Sequence, residues 1–308
     1  KTAYEIRLSL VGSEMCIRDS PWMTSEVIES RPERSYGHAM NGGNGHVQFG
    51  ERLKDRRRIL GLSQLQLAVD AGVSPRHLSF LETGRSQPSR DMVLKLAAQM
   101  RVPLREQNSL LLAAGFAPAF GQHDLAAPAL DAVRSAAALV LKNHEPFPAA
   151  ALDRKRNVVM ANRGARLLLS GVAPALLGPP VNIHRVLLHP DGLSRNIVNF
   201  AEYRRHLLER LRRDAEQSGD VELHALFNEL SAYPVSSGAG FTAASKADVA
   251  LVFRFREAGG GELAFITTIA TFGTPFDVTV SELVVESLFP ADAFTEQRVR
   301  ELARGAAG

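Results

Sequence analysis

Basic side chains are concentrated in one part of this 308-residue sequence, where they could neutralise a polyanion. Residues 46–120 contain eleven Lys and Arg against six Asp and Glu, a net charge of +5. Residues 1–45 and residues 121–308 each carry a net charge of −1. A positive excess confined to one segment is typical of a domain that contacts nucleic acid, although a basic, solvated helix face would have the same composition.

Side chains suited to base recognition lie within this basic segment. A guanidinium can donate two hydrogen bonds to one guanine, and an aromatic ring can contact a thymine methyl group. At the exposed start of a helix in the major groove, four residues would reach base edges: Arg76, His77, Ser79 and Phe80. Phosphate contacts, or mere solvation, are expected of Gln64, Ser74, Arg85, Arg56 and Arg57. We expect Glu82 to pair with an arginine, for instance Arg52, rather than to contact DNA.

The helices that must hold these side chains are marked by capping residues. Ser63 and Gln66 have the spacing of a capping box, and Ser74 followed by Pro75 suits the start of the next helix. Gly72 permits the left-handed turn between the two helices. The spacing predicts a helix-turn-helix between about residues 50 and 84. A helical hairpin with a purely structural role is the alternative.

Further helices are predicted on both sides of this motif. Apolar residues recur at helical spacing in 49–60, 90–100 and 104–114, with Ser89 and Pro103 at the starts of the last two. Together with the two central helices, these segments form an all-α unit of five helices.

The second half of the chain combines strand and helix signals. A connecting helix is predicted at 129–143, and Asn162 and Asn199 are expected to cap later helices. Strands are predicted at 149–152, 158–161, 247–257, 262–272 and 278–288. Two strands, a helical middle and three strands indicate an α+β domain with a five-stranded antiparallel sheet and helices over one face.

A sheet covered by helices commonly encloses an apolar ligand pocket. The candidate wall residues, with Asn199 as the polar group that orients a ligand, are Met160, Leu187, Asn199, Tyr203, Phe253 and Phe265. Ordinary core packing is the alternative for each of them.

Other chemistry is not supported by the sequence. His184, His189 and Asp191 do not have a common zinc-site spacing. No serine stands in a nucleophile-elbow context, and there is no glycine-rich phosphate loop. We therefore expect no metal site, no cofactor and no enzymatic activity.

Several segments resemble, in order, one family of proteins. The segment SPRHLSFLETGRSQPSRDMVLKLAAQMRVPLREQNSLLLAAGFAP resembles the helix-turn-helix domain of xenobiotic-response-element-type (XRE) regulators of the MmyB-like group. The resemblance continues through NHEPFPAAALDRKRNVVMANRGARLLL and VNIHRVLLHPDGLSRNIVNF to FGTPFDVTVSELVVESLFPAD. It implies a DNA-binding domain followed by a PAS-like ligand-binding domain, with a fatty-acid-like or other small apolar ligand.

The sequence thus predicts a two-domain transcription regulator that binds double-stranded DNA and a small-molecule effector. We assign 1–45 to a non-native or disordered arm, 46–117 to the DNA-binding domain, 118–145 to a linker and helix, 146–292 to the PAS-like domain and 293–308 to a tail. A homodimer in the cytoplasm, without a membrane span, is expected. The alternatives are a protein-interaction adaptor that retains the helix-turn-helix fold without specific DNA binding, and an enzyme in the C-terminal half.

Overall fold

Five short helices form the first part of the described chain. The structure is a computed structural model, and it describes residues 45–169, 171–234, 251–257 and 259–305. The five helices are α1 (Gly45–Ile59), α2 (Gln64–Asp70), α3 (Pro75–Glu82), α4 (Arg90–Gln99) and α5 (Leu104–Ala113). They enclose one apolar core, which includes Phe49, Leu53, Leu67, Leu78, Leu81, Val93, Leu96, Leu110 and Leu111.

Serine side chains begin three of these helices, as the sequence predicts. The hydroxyls of Ser63, Ser74 and Ser89 each accept a hydrogen bond from the backbone amide three residues later, at 3.0–3.2 Å. The predicted capping box is only half present, because the Gln66 side chain donates to Asp70 instead of returning to the cap. Each serine satisfies one amide that the first turn of the helix leaves without a partner.

The crossing of α1 and α3 depends on a glycine whose role the sequence reasoning missed. A Cβ atom at Gly50 would lie 2.5 Å from the Leu81 carbonyl oxygen and 2.7 Å from that of Glu82. Both are backbone atoms, so they cannot rotate away as a side chain would. The absence of a side chain at Gly50 therefore sets how closely the two helices approach.

A mixed domain follows the five helices. Its helices are α6 (Asp131–Asn143), α7 (Arg163–Leu168), α8 (Ile183–Leu188), α9 (Phe200–Ser218), α10 (Val221–Ser231), α11 (Val278–Glu282) and α12 (Ala293–Gly305). Its strands are β1 (Ala149–Leu152), β2 (Val158–Ala161), β3 (Val252–Arg256), β4 (Glu262–Thr271) and β5 (Val284–Pro290). They form one antiparallel sheet in the order β2-β1-β5-β4-β3. The two-domain fold class and the five-stranded sheet are confirmed.

The two faces of this sheet pack against different helices. Phe253 of β3 pairs with Phe265 of β4, and both rings point to the face on which Tyr203 of α9 lies. Ala149 and Ala151 of β1 point to the opposite face, where they pack against Leu141 of α6. We call these the α9 face and the α6 face.

The predicted strand at 278–288 begins as a helix. The Asp277 carboxylate accepts hydrogen bonds from the amides of Thr279 and Val280, at 2.8 and 3.4 Å, and so caps α11. The strand β5 then starts at Val284. The alternating apolar pattern is compatible with a strand, but this cap and the packing of Val278 and Val280 override it locally.

Other boundaries also differ from the prediction. The predicted strand at 247–257 is present as Val252–Arg256, and its first residues lie outside the described part of the chain. The segment assigned to a C-terminal tail contains α12, which packs against β4 and β5. The Thr295 side chain of α12 is fully buried and accepts a hydrogen bond from the Ala264 amide at 2.9 Å.

We expect Gly50→Ala to lower the free energy of unfolding by about 1–3 kcal/mol, because the new methyl group forces α1 away from α3. Chemical denaturation followed by circular dichroism measures the change. Gly171→Ala is the matched control, since a Cβ atom there meets nothing within 4 Å. Equal stability of the two variants would contradict the close approach of the two helices.

Candidate functional site

The N-terminal end of α3 presents the side chains predicted to read bases. Ser74 and Pro75 start the helix, and Arg76 in its first turn is exposed. The Arg76 guanidinium carbon lies 5.3 Å from the centre of the Phe80 ring, one helical turn away. His77 and Ser79 are half-buried beside them. The contact with Phe80 limits the positions that the guanidinium can take, so part of the ordering needed for recognition is already made.

The predicted phosphate donors Gln64, Ser74 and Arg85 lie at the ends of α2 and α3. Ser74 is exposed, and although its oxygen accepts the cap hydrogen bond, its hydroxyl hydrogen can still be donated. Arg85 is exposed just beyond α3. Gln64 donates a side-chain hydrogen bond to Glu82 at 2.7 Å, so one of its amide hydrogens is already engaged. Contacts of these residues with phosphate stay predictions.

Arg57 has a structural role instead of the predicted phosphate contact. Its side chain is 9% exposed, and that of Glu82 is 1% exposed. Two parallel hydrogen bonds of 2.6 and 2.8 Å join the guanidinium to the Glu82 carboxylate. A third bond, of 2.8 Å, reaches the Leu62 carbonyl. The prediction that Glu82 pairs with an arginine is correct, but the partner is Arg57 and not Arg52.

This buried network joins all three helices of the predicted motif. Arg57 belongs to α1, Gln64 to α2 and Glu82 to α3. Burial alone would raise the pKa of Glu82, but the hydrogen bonds from Arg57 and Gln64 and the charge of Arg57 outweigh it and lower that pKa. The hydrogen bond to Glu82 raises the pKa of Arg57 in turn. Both groups therefore stay charged at neutral pH.

Arg56 is also withdrawn from the surface, so its predicted phosphate contact is wrong. The residue is 4% exposed and lies near Glu106 of α5. Burial lowers the pKa of Arg56, while the charge of Glu106 opposes that change. The spacing of apolar residues in the sequence already indicates that Arg56 is buried. Phe49 and Leu53 define the buried side of α1 at a spacing of four, and residues 56 and 57 continue that side.

Three of the predicted pocket residues meet on the α9 face. The ring centres of Tyr203 and Phe253 are 4.9 Å apart, and those of Phe253 and Phe265 are 6.4 Å apart. Burial raises the pKa of Tyr203, and the negative charge of Glu286 adds to this. Leu187 of α8 is also buried. The structure thus holds an aromatic, apolar cluster under α9.

Met160 does not belong to this cluster. It pairs with Ala151, which pairs in turn with Val285, and these residues pack on the α6 face. Side chains of alternate strand residues point to opposite faces, so Met160 and Phe265 are on different sides of the sheet. Its predicted place in a common pocket wall is wrong.

Asn199 holds the edge of the sheet rather than capping α9. Its amide nitrogen donates to the Val252 carbonyl at 2.8 Å, and its oxygen accepts from the Arg254 amide at 3.2 Å. No side-chain capping bond is made at the start of α9. Because both ends of the amide are bonded to β3, the predicted role of Asn199 as the group that orients a ligand is not supported by its contacts.

Charged side chains near the same face were not singled out as a group by the sequence. The Arg210 guanidinium of α9 lies 3.5 Å from the Glu286 carboxylate of β5. His184 is buried, and the lowering of its pKa follows first from burial and then from the charges of Arg156 and Arg210. Among the described residues, His184 Nδ1 has no hydrogen-bond partner.

The helical domain is tied to the mixed domain through α5 and α11. The Arg105 guanidinium makes two hydrogen bonds of 2.7 and 2.8 Å to the Glu282 carboxylate. Asn108 of α5 binds the connecting chain through Phe120 and Ala119, at 2.8 and 2.9 Å. Three residues further along, the His123 ring nitrogen Nδ1 lies 2.7 Å from Asp277.

A surface cleft of about 430 Å³ lies beside this connection. Its lining includes His123, Leu130, Val133, Phe272, Phe276 and Asp277. Phe276 is 84% exposed. The cleft shares no residue with the predicted pocket wall.

Comparison with known proteins identifies the class of the helical domain that contains α3. Residues 53–107 match the sequence model of the helix-turn-helix family. The match begins within α1 and ends within α5, so it includes both helices of the predicted motif, α2 and α3. The chain is a helix-turn-helix DNA-binding transcription regulator.

The family follows from the remainder of the chain. Residues 133–302, more than half of the sequence, match the ligand-binding domain of MmyB-like transcription regulators. The chain belongs to the MmyB-like transcription regulator family, whose members are regulators and not enzymes. It combines a DNA-binding domain with a ligand-binding domain.

Individual relatives overlap with the helical domain. The chain is 40% identical over 73 residues to the uncharacterised HTH-type transcriptional regulator RghRB of Bacillus subtilis (strain 168), a match that spans 23% of this chain and 50% of that protein. The restriction-modification controller protein C.AhdI from Aeromonas hydrophila is 36% identical, over 20% of this chain and 92% of its own, with a TM-score of 0.19. The clp gene regulator ClgR from C. glutamicum is 25% identical, over 23% of this chain and 88% of its own, with a TM-score of 0.21.

None of the helices in the described residues is long and apolar enough to cross a membrane. Within the same ranges, no group of three or more His, Cys, Asp or Glu side chains is arranged to hold a metal ion. His189 instead accepts a hydrogen bond from the Asp191 amide at 3.0 Å.

Replacing Arg57 by Met is expected to lower the stability of the helical domain by about 3–5 kcal/mol, because Glu82 becomes an uncompensated buried charge. Amide hydrogen exchange in α1, α2 and α3 measures this locally. Arg58→Met removes an exposed arginine from the same helix and is expected to change stability by less than about 0.5 kcal/mol. Similar protection in the two variants would show that the buried pair is dispensable.

The same pair makes stability depend on acidic pH. The pKa of Glu82 is lower in the folded chain, so the pair contributes fully above the carboxyl's unfolded pKa of about 4.3 and is lost as the pH falls through the folded value. Glu82→Gln should therefore flatten the loss of stability between neutral and acidic pH. An unchanged pH profile would contradict this assignment.

Proposed function

We propose that this regulator recognises a specific DNA sequence through the first two turns of α3, as a cytoplasmic homodimer controlled by a small, mainly apolar ligand. The observation that carries the DNA-reading part is the exposed Arg76, positioned over Phe80 at the start of a helix that is fixed from behind by the buried Glu82 network. A helix that reads bases needs side chains that are exposed to the groove and held by a rigid support. Here Arg76 is exposed, and the ion pair that supports the helix is buried.

The side chains exposed at the start of α3 suggest which bases this helix reads. Arg76 can donate two parallel hydrogen bonds to the O6 and N7 atoms of guanine. The exposed part of the Phe80 ring suits the methyl group of a neighbouring thymine. His77 and Ser79 are placed for further contacts, and Gln64, Ser74 and Arg85 for phosphate contacts that fix the helix in the groove.

Ligand control is supported by the aromatic cluster under α9. Tyr203, Phe253 and Phe265 provide an apolar environment that suits a fatty-acid-like or other apolar molecule. A polar end group of such a molecule could take a hydrogen bond from His184 Nδ1 and be attracted by the charge of Arg210. No other cofactor is proposed.

A pair of chains is proposed because one small helix-turn-helix domain covers only a single half-site. Two domains related by a two-fold axis can contact successive major grooves, about 34 Å apart, and both sets of contacts then contribute to affinity. The operator is accordingly expected to be an inverted repeat.

Binding to the chain's own upstream region tests the DNA proposal. Arg76→Ala is expected to cost about 1–3 kcal/mol and to relax preference at one base position, because it removes a base contact. Affinity should fall steeply with salt as phosphate contacts release counterions. Fluorescence anisotropy with the operator and with scrambled DNA measures both effects.

Arg101→Ala is the control for this experiment, since Arg101 is exposed just after α4, is not among the predicted DNA contacts and should leave specificity unchanged. Arg85→Ala should weaken binding to every sequence equally and reduce the salt dependence. Equal, weak binding to all DNA by the unaltered protein would overturn specific recognition and favour a protein-interaction adaptor.

Native mass spectrometry of the protein purified from its own host tests the ligand proposal. We expect an added mass of roughly a few hundred daltons, as for a drug-sized or lipid molecule. Phe253→Leu should reduce its retention because Phe253 is central to the aromatic cluster, whereas Phe276→Leu, at an exposed ring, should not. A clean mass together with no thermal shift from added fatty acids would contradict an apolar ligand.

A further inference from the structure

The carboxylate of Glu282 has a guanidinium from each domain beside it. Arg105 of α5 donates to Oε1 and Oε2 of this carboxylate, at 2.7 and 2.8 Å. Arg154, in the turn between β1 and β2, has its Nε atom 3.9 Å from the same Oε2 atom. A hydrogen bond would need an approach about 1 Å closer. Arg154 therefore lies next to an acceptor that Arg105 already occupies.

Arg154 is held by the start of α10. Its guanidinium is ion-paired with Asp220, which caps α10, and lies 3.0 Å from the Glu222 carboxylate in the first turn. Lys155 donates to Glu222 as well, at 2.7 Å. The Lys155 hydrogen bond lowers the pKa of Glu222, and the charges of Arg154 and Arg105 act in the same direction. The cations of both domains thus act on one small group of carboxylates.

The turn that carries Arg154 is held by its own strands and by α8. The Asp153 carboxylate accepts hydrogen bonds from the backbone and the side chain of Asn157, at 2.8 and 2.9 Å. Asn182, the cap of α8, donates to the Lys155 carbonyl at 2.7 Å. These bonds involve the backbone of the turn on both sides, so the base of the Arg154 side chain has a fixed position.

The position of Asp220 depends instead on α9. The helix α9 ends at Ser218, and only Gly219 separates it from Asp220. At its other end, α9 covers the aromatic cluster through Tyr203. The turn also contacts α9 directly, where Arg156 is ion-paired with Asp214, but that contact joins two side chains that can follow a small shift. A displacement of α9 therefore moves Asp220 relative to Arg154.

We propose that Arg154 controls how firmly the DNA-binding domain is held, by exchanging the acids of α10 for Glu282. While Asp220 and Glu222 bind Arg154, Glu282 serves Arg105 alone and α5 is tied to α11. When α9 withdraws the two acids, Arg154 turns to Glu282, and two guanidiniums divide one negative charge. The Arg105 contact then weakens. Coupling between distant sites requires an element with discrete arrangements, and Arg154 has partners for two of them.

Substitution of the two acids in the full chain imitates their withdrawal without ligand or DNA. Asp220→Asn retains a good helix cap, and Glu222→Gln retains the size of the side chain. In this double variant we expect amide hydrogen exchange at Ala119 and Phe120 to be about three- to fivefold faster, as for the weakening of one partly exposed ion pair. Both amides donate to the Asn108 side chain of α5, at 2.9 and 3.1 Å, so they report on this connection.

A third substitution separates competition from simple stabilisation. Adding Arg154→Gln removes the competing guanidinium, so exchange at the two amides should return to the rate of the unaltered protein. If Arg154 only stabilised the fold, this change would add to the loss instead. Glu209→Gln/Glu216→Gln removes two exposed carboxylates of α9 and is the control for net charge, with no change expected.

The single variant Arg154→Gln gives the same test in a chain that retains both acids of α10. Exchange at the two reporter amides should not become faster, because Glu282 still binds Arg105. Faster exchange in this variant, normal exchange in the double variant, or no recovery in the triple variant overturns the role of Arg154.

The role of Arg154 rests on the proposed function only for the cause of the movement, which is a ligand bound under α9. The exchange measurements involve neither ligand nor DNA, so the two can fail separately. No recovery in the triple variant overturns the exchange of partners and leaves DNA and ligand binding untouched. Recovery in the triple variant, with a clean mass for the protein from its host, retains Arg154 and contradicts the ligand.

Discussion

The buried ion pair between Arg57 and Glu82 is the constraint on which the DNA-reading half of this molecule depends. Burying two charges is costly, and only their two parallel hydrogen bonds, with those to Gln64 and Leu62, offset the lost hydration. Such a network tolerates few geometries, in contrast to apolar packing, which accepts many. It therefore fixes α1, α2 and α3 in one arrangement, and the close approach at Gly50 leaves that arrangement little room to relax.

Residues 282–286 of the ligand-binding half contact both α9 and the DNA-binding half. Glu286 of β5 contacts Arg210 of α9, over the aromatic cluster. Four residues earlier, Glu282 at the end of α11 binds Arg105 of α5. A shift of β5 along its own axis would thus act on α9 and on α5 together. The sheet has the aromatic cluster on its α9 face and packs against α6 on the opposite face.

Local sequence signals predicted most elements of the fold and fewer of the contacts. Ser63, Ser74 and Ser89 are correct helix caps because capping depends on residues three positions apart. The predictions that were wrong concern side chains whose partners lie far away in the sequence. Arg57 meets a carboxylate 25 residues away, and Met160 points to the other face of the sheet because of pairings with β1 and β5. Asn199 occupies the predicted cap position, yet its side chain is bonded to β3, more than fifty residues later.

The hydrogen bonds of Asn108 and Asp277 limit how this regulator could be recombined with others. Residues 119–123, which join the domains, are bonded to α5 at one end and to the start of α11 at the other. This connecting segment is therefore held in place by hydrogen bonds to both domains and does not act as a free linker. A hybrid that grafts a foreign DNA-binding domain onto this sensor would need to bring Arg105 and Asn108 with it, or else accept matching changes at Asp277 and Glu282. Natural shuffling of such domains faces the same requirement, because α5 must match both the core of the helical domain, through Leu110 and Leu111, and the mixed domain, through Arg105.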